Sequence, residues 1–451
     1  MPTESLQAKL ERFSSPVEML RKAPAQRWAF PIPPEYSTWY YEQRAWKETA
    51  VLFDQGTHMQ EVSFRGPDVQ RLFSEISING FENFGKNKAR QIVAANYQGY
   101  VIGDGIVFGI DEHEYLAVGY PTVPNWARYH ATKNGYDIEV TIDDPTVSNR
   151  TGRTGFRFQL VGPASQRIVE KAHGGPVRHI KFFGMDDISI GGVKVRALNH
   201  TMTGVPGDDM TGLEFFGPIA AKEAFLQAIL EAGAELGMQQ GGARSYISAT
   251  LESGWIPLPT PAIYSGDEMK EYRQWMSIES FEANGSLDGS FVSESIGDYY
   301  QTPWDLGYGR LIRLDHDFIG RSALAAMLLK PHRKKVWLRW NEIDVVDALR
   351  RQLFGNTDRP RLLDFPNICY GNFHFDSVTR ADRLIGLSTF AGYTANMASV
   401  VSLAMIDEAE AIDGKEVILL WGEPDGGKMK PLVEPHVQTE LRATIHTRPL
   451  V

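Results

Sequence analysis

Cysteine is almost missing from this sequence: Cys369 is the single one in 451 residues. One thiol forms no intramolecular disulfide, builds no multi-thiolate zinc site and holds no ordinary iron–sulfur cluster. Cys369 itself sits between Ile368 and Tyr370 in a loop-like stretch and reads as a small buried hydrophobe. The histidines are scattered, without an HExxH pair, and neither a Walker A loop nor a GxSxG nucleophile elbow is present, so no metal site is expected. Gly103-Asp104-Gly105 lacks the third glycine of a dinucleotide fingerprint. No apolar run approaches the roughly 18 residues of a membrane span. The N-terminus has no apolar signal-peptide core, and a cytoplasmic protein is expected. A formal net charge of -10 argues against nucleic acid or an anionic membrane as the main partner.

What is present describes a globular chain. Hydrophobic residues make up 43% and charged residues 23%, and the length suits two or three domains. A short helix is expected over 16–23, followed by an aromatic, proline-rich passage from Trp28 through Phe30 to Pro34. Ser37 is placed to cap a helix through Trp39, Gln43 and Trp46, and the run from Val51 to Met59 leads into a strand ending at Phe64. A motif then repeats. Phe64-Arg65-Gly66-Pro67, Leu160-Val161-Gly162-Pro163 and Phe215-Phe216-Gly217-Pro218 each end a strand and open a helix. Proline in the first helical turn costs no hydrogen bond, and glycine permits the corner. Three such units imply related α+β subdomains rather than one parallel sheet. Strands are expected at 105–110, 115–120 and 137–142, with a hairpin turning at Gly191-Gly192. After Arg321 the character changes. Residues 330–335 read as a polar linker, and short β-like runs at 336–340, 384–390, 400–406, 417–421 and 441–446 read as an all-β, barrel-like domain.

One side chain stands out within 198–218, LNHTMTGVPGDDMTGLEFFGP. Glu214 lies among Leu213, Phe215 and Phe216 in a strand-like apolar run. A carboxylate there either faces water from an edge strand or is paired with a specific donor, and the residues alone leave both readings open.

The order of the strand–Gly–Pro–helix units, together with Thr203-Gly204, Gly212-Leu213-Glu214, Thr250-Leu251-Glu252-Ser253-Gly254-Trp255 and Phe318-Ile319-Gly320-Arg321, resembles the glycine-cleavage T-protein family. A narrower group, the bacterial tetrahydrofolate-dependent aryl O-demethylases acting on vanillate, syringate or dicamba, resembles the chain more closely still. The stretches that carry this are Trp46, Val51-Leu52-Phe53-Asp54-Gln55, His58-Met59, Val101-Ile102-Gly103-Asp104-Gly105, Glu252-Ser253-Gly254-Trp255-Ile256-Pro257 and Leu420-Trp421-Gly422-Glu423. The resemblance spans nearly the whole chain. It implies an α+β, three-domain cloverleaf with two interleaved folate- and substrate-binding subdomains over 1–335 and a β-barrel-like domain over 336–451. It also implies an enzyme that moves a methyl group from an aromatic methoxy compound to N5 of tetrahydrofolate.

That chemistry asks little of cysteine. An aryl ether oxygen leaves only when its developing charge is protonated or stabilised, and the rest is alignment of the reacting atoms. Oxidative demethylation through a Rieske centre needs two cysteines and two histidines, which excludes it for this chain acting alone. By resemblance, Glu214 hydrogen-bonds the pterin, Gln159 is a polar pterin contact, and Phe182 and Trp255 line the folate site. Asp104 matches an acidic position of the T-proteins, whereas Gly103 stands where they often carry a second aspartate. Tyr246 and His58 fall near the methoxy oxygen, with Tyr246 as hydrogen-bond donor to the leaving phenolate and His58 as an orienting or substrate-binding group. Phe30, Gln55, Gly56 and Tyr120 complete the expected aryl pocket. Phe30 replaces a tyrosine and Tyr120 an arginine of the vanillate enzyme, so the implied substrate is a different methoxybenzoate, dicamba-like or syringate-like. Two alternatives remain: another T-protein-type methyl or aminomethyl transferase, such as one using a sulfonium donor, and a non-catalytic folate-binding protein. The partners expected are small molecules, and the oligomeric state is not set by the sequence.

Overall fold

The computed structural model describes residues 4–25, 31–133, 135–146, 148–149, 152–203 and 209–450. The strand–Gly–Pro–helix corners organise its first two sheets. Strand Gln60–Arg65 turns at Gly66 into helix Val69–Glu75, and strand Gly155–Val161 turns at Gly162 into helix Ser165–His173. Both corners require glycine. At Gly66 (φ 154°) a Cβ would fall 2.0 Å from the Asp137 carbonyl oxygen, and at Gly162 (φ 133°) 2.6 Å from that of Thr49. The third corner differs from expectation: Pro218 still belongs to strand Gly212–Pro218, and a single 3-10 turn, Ile219–Ala221, precedes helix Lys222–Ala234.

A six-stranded sheet runs in the order Gln239–Gly241, Val51–Asp54, Gly155–Val161, Gly212–Pro218, Val193–Asn199, Met185–Ile190. Only its first pair is parallel. Glu214 pairs with Gln159 on one side and Leu198 on the other, so the edge-strand reading of this residue is overturned. Phe156, Phe158, Phe215 and Phe225 fill the core between this sheet and its helices. A five-stranded antiparallel sheet has the order Ala89–Ala95, Val101–Asp111, Glu114–Gly119, Gln60–Arg65, Glu139–Asp143, and packs on helix Thr122–Lys133.

The C-terminal strands close into a barrel in the order Arg333–Trp340, Ser399–Asp407, Arg383–Thr394, Asp376–Arg380, Glu416–Trp421, Thr439–His446. All five β-like runs of this region are strands. Three expectations are corrected. Arg333, Lys334 and Lys335 are not linker but the start of the first barrel strand, paired with 405–407. The region is not all-β, because helix Glu342–Phe354 follows the first barrel strand, capped by Asn341, whose side chain accepts from the Ile343 and Asp344 amides. The aromatic helix Trp39–Glu48 is capped by Thr38, not Ser37. Cys369 is buried, as read, and takes a hydrogen bond from the Ala391 amide at its sulfur.

The barrel is joined to the body through a buried charged cluster. Arg361 binds Asp288 at 2.8 Å and Glu423 at 3.4 Å, with its guanidinium over Tyr370 and Trp421. His374 bridges Asp288 at 2.9 Å and Asp376 at 2.6 Å. Burial works against the His374 imidazolium, but Asp376 and Asp288 outweigh it and raise its pKa well above the ordinary value. Burial likewise opposes the Asp288 carboxylate, and His374 and Arg361 bring it down to about 2. The His374 contribution is therefore full below its unfolded value, roughly pH 6.5, and is lost as pH rises through its folded value. The Asp288 contribution is present above roughly pH 4 and is lost as pH falls toward 2. Arg361→Met leaves two buried carboxylates short of a partner and is expected to cost about 3–5 kcal/mol at pH 7. A urea unfolding midpoint unchanged from wild type would show the cluster to be energetically neutral.

Candidate active site

A cavity of about 1100 Å³ opens where the two sheets and the first barrel strand meet. Its walls carry charge that the fold positions with care. On strand Gly155–Val161, alternation puts Arg157 and Gln159 on the same face, and the antiparallel register sets Glu214 opposite Gln159. The guanidinium of Arg157 is fully buried and lies 4.7 Å over the Phe108 ring and 4.8 Å over that of Phe216. It binds Glu214 on one side and Glu61, at 3.0 Å, on the other. Arg153 also binds Glu61 and lies 3.4 Å from Asp143. Burial would raise the Glu214 pKa, but Arg157 and His200 lower it below the ordinary value, so it is a carboxylate at neutral pH. Its second oxygen lies 3.5 Å from His200 Nδ1, at the limit of a hydrogen bond, and Glu214 lines the cavity.

A second carboxylate, Asp104, stands across the same cavity. One oxygen accepts from Trp255 Nε1 at 2.8 Å, Tyr308 at 2.9 Å and Gln91 at 3.0 Å. Burial raises the Asp104 pKa against those hydrogen bonds. Trp255 reaches this position because helix Ala243–Ser253 ends at Gly254 in a left-handed cap (φ 72°), where any Cβ would collide with Trp337 of the barrel. Gly103 is crowded: a Cβ would fall 2.2 Å from Thr122 Oγ1, so a second aspartate here would have to displace the Thr122 side chain. Arg90, Arg310, Arg313 and Lys335 add positive charge to the lining. Burial brings Lys335 down to about 8 although Asp104 opposes the shift.

The residues expected at the aryl side converge beside this cavity. His58, in the turn after strand Val51–Asp54, places Nε2 3.1 Å from the Tyr246 hydroxyl, with the rings 4.7 Å apart. Thr57 Oγ1 is 3.3 Å from His58 Nδ1. The Met202 sulfur, on the cavity lining, is 3.4 Å from the Tyr246 hydroxyl and 3.3 Å from Gln55 Nε2. Gln55 Nε2 donates to Gln159 at 3.4 Å, and Gln159 donates to the His200 carbonyl at 3.1 Å. These two glutamines therefore form a buried bridge from the Tyr246 end to the Glu214 wall. Burial, with Arg153 adding to it, lowers His58 to about 3. Burial raises Tyr246 far above the ordinary phenol range. Tyr120 lines the cavity, stacks on Phe281 with rings 5.8 Å apart and is raised by burial and by Tyr246.

Of the residues singled out in the sequence, Glu214, Asp104, Trp255, Phe182 and Tyr120 line the cavity, while Tyr246, His58, Gln55 and Gln159 form the layer around Met202. Gly56 lies outside the lining; its amide donates to the Arg157 carbonyl. Trp28, Phe30 and Gly204 fall outside the described residues. Sequence reasoning missed Arg157, Tyr308, Gln91, Met202 and Lys335. Arg157 alone had a local signal, a charged residue two before Gln159 in an otherwise apolar strand.

An α+β body of two sheets around a carboxylate-bearing cavity, closed by a six-stranded barrel, defines the class. Residues 23–260 match the GCVT N-terminal domain, and the chain belongs to that family. It is 41% identical over 444 residues to a syringate O-demethylase of Sphingobium sp. (strain NBRC 103272 / SYK-6), covering 98% of this chain and 95% of the relative. It is 29% identical over 412 residues to a sesamin methylene transferase of Sinomonas sp. (strain No.22), covering 87% and 86%. The structure of glycine cleavage system aminomethyltransferase T from Bartonella henselae superposes over 99% of this chain and 97% of that one, with a TM-score of 0.62 at 16% identity, and shares the fold.

Because His58 takes a proton only near pH 3, while an unfolded histidine takes one near 6.5, acid favours the unfolded chain. This contribution to stability is present above about pH 6.5 and drains as pH falls toward 3. The imidazole resonances of His58, assigned by comparison with His58→Gln, are expected not to titrate between pH 5 and 8. A midpoint near 6.5 would mean that water reaches the ring.

Proposed function

We infer that this chain is a tetrahydrofolate-dependent aryl O-demethylase, which moves the methyl group of an aromatic methoxy compound to N5 of tetrahydrofolate. The observation that carries the reading is the neutral His58–Tyr246 pair beside a cavity with two carboxylates. The residues present fit tetrahydrofolate. The second oxygen of Glu214 suits the N–H donors of a pterin, Phe182 and Trp255 offer flat apolar surface, and Arg310, Arg313 and Lys335 suit the carboxylates of the glutamyl tail. Tetrahydrofolate supplies the nucleophilic nitrogen that receives the methyl group.

The chain's own task is to make the aryl oxygen leave. Tyr246 stays a phenol at neutral pH because burial disfavours its anion. His58 is uncharged in the same range. With Nε2–H of His58 directed at the phenol oxygen, the Tyr246 hydrogen turns to the ether oxygen as its charge develops. Such positioned donation is worth on the order of 100- to 10,000-fold in rate. No net proton is consumed: one N–H becomes N–CH3 and one O–CH3 becomes O–H. Tyr246 therefore donates a hydrogen bond and need not end as a tyrosinate.

The substrate we propose is a methoxybenzoate other than vanillate. The syringate O-demethylase relative favours a syringate-like ring, and a dicamba-like ring is the other candidate. The crowding at Gly103 favours this reading over aminomethyl transfer. The same reading places the protein in the cytoplasm, where its folate is found.

Tyr246→Phe is expected to lower kcat at least 100-fold while leaving tetrahydrofolate affinity within about threefold, measured by 5-methyltetrahydrofolate formation and by fluorescence titration. Retention of wild-type kcat would overturn the role of Tyr246. A panel of syringate, dicamba, vanillate and a methylenedioxybenzene decides the donor: syringate or dicamba is expected to turn over fastest. Vanillate as the best substrate would overturn the assignment.

A further inference from the structure

Helix Glu342–Phe354 is apolar on two sides. Its inner face, with Val345, Ala348 and Leu349, packs on the barrel core. Its outer face carries Ile343, Val346, Leu353 and Phe354, which are 65%, 62%, 65% and 79% exposed. An ordinary surface helix keeps one apolar stripe and covers the other side with polar groups. Exposed apolar residues also follow the helix in the chain. Segment 358–362 bridges to Val437 through Pro360, the Leu362 amide donates to Glu434, and nearby Leu432 is 88% exposed.

We propose that this face pairs two copies of the chain, helix against helix and antiparallel, across a two-fold axis. The charge order points to that occupant. Acidic Glu342, Asp344 and Asp347 fill the first half of the helix, and basic Arg350 and Arg351 fill the second. Asp344 is already held by Arg442 at 2.7 Å, which leaves Asp347 and Arg350, 2.8 Å apart, at the centre of the exposed face. A two-fold axis between these two residues sets each Arg350 beside the partner copy's Asp347. It also lays Ile343 and Val346 against the partner copy's Leu353 and Phe354. A parallel pairing would stack like charges along the seam. A net charge of -10 makes two copies repel on average, and a charge-balanced face adds nothing to that repulsion.

The helix is about 20 Å long. By itself it covers roughly half of the ~800 Å² per partner of a standard interface. A micromolar rather than nanomolar pair is therefore expected.

Sedimentation velocity on the full chain between about 1 and 100 μM tests this. The wild type is expected to shift from monomer to dimer across that range. Val346→Glu combined with Leu353→Glu is expected to stay monomeric with an unchanged unfolding midpoint and unchanged demethylation. Asp347→Arg and Arg350→Asp are each expected to be monomeric alone and to dimerise when mixed, because the mixture restores both cross-axis pairs. Wild type monomeric at 100 μM would overturn the proposal. So would a dimer that survives the double glutamate variant, which would place the contact elsewhere, or mixed charge variants that stay apart.

Discussion

The site depends on one guanidinium. Arg157 is fully buried between the rings of Phe108 and Phe216, and it binds Glu61 of the five-stranded sheet and Glu214 of the six-stranded sheet at once. Phe108 and Phe216 come from the same two sheets, so the two halves of the body meet on this side chain through charge and through stacking. Removing a cation from water is costly, and here the cost is offset only because each carboxylate arrives from a different sheet. The docking of the sheets and the ionisation of Glu214 are therefore one event.

The same group of charges reaches His58. Arg153 shares Glu61 with Arg157 and adds to the burial that keeps His58 uncharged. The two acids of the cavity are driven in opposite directions. Glu214 has a cation against it and is lowered, whereas Asp104 is raised by burial although three neutral donors and Lys335 oppose the shift. Two carboxylates with divergent environments suit two different roles toward one ligand.

What the sequence makes legible follows from how local each constraint is. The Gly66 and Gly162 corners show because they need a glycine at one position and a proline next to it. The barrel strands show because alternation repeats within a few residues. Tyr246 and His58 are far apart in the chain, and resemblance, not spacing, brought them together before the structure did. Arg157 stayed hidden because a strand arginine is ordinarily solvated, and its two partners lie 96 and 57 residues away. Helix Glu342–Phe354 was missed because its exposed isoleucine, valine, leucine and phenylalanine blur the 3.6-residue period that marks an amphipathic helix. Thr38 and Ser37 are chemically equivalent caps, and only the backbone conformation separates them.

On the proposed reading, the glutamine pair links the folate and aryl ends of one reaction. Gln55 and Gln159 are both fully buried, and each touches a residue of a different end: Gln55 the Met202 sulfur beside Tyr246, Gln159 the His200 carbonyl beside Glu214. Gln55 Nε2 and Gln159 Nε2 donate along this line, whereas Gln55 Oε1 has no hydrogen-bond partner among the described residues. The Met202 sulfur is in contact with Gln55 Nε2, and the strand that carries Gln159 also carries Arg157. The position of the Tyr246 hydroxyl is in this way referred to the guanidinium that sets Glu214. In-line transfer needs the donor oxygen, the methyl carbon and the acceptor nitrogen held to a fraction of an ångström. The two buried glutamines span that distance, from Met202 beside Tyr246 to His200 beside Glu214, so on the proposed reading the in-line geometry is tied through them to the strand that carries Arg157.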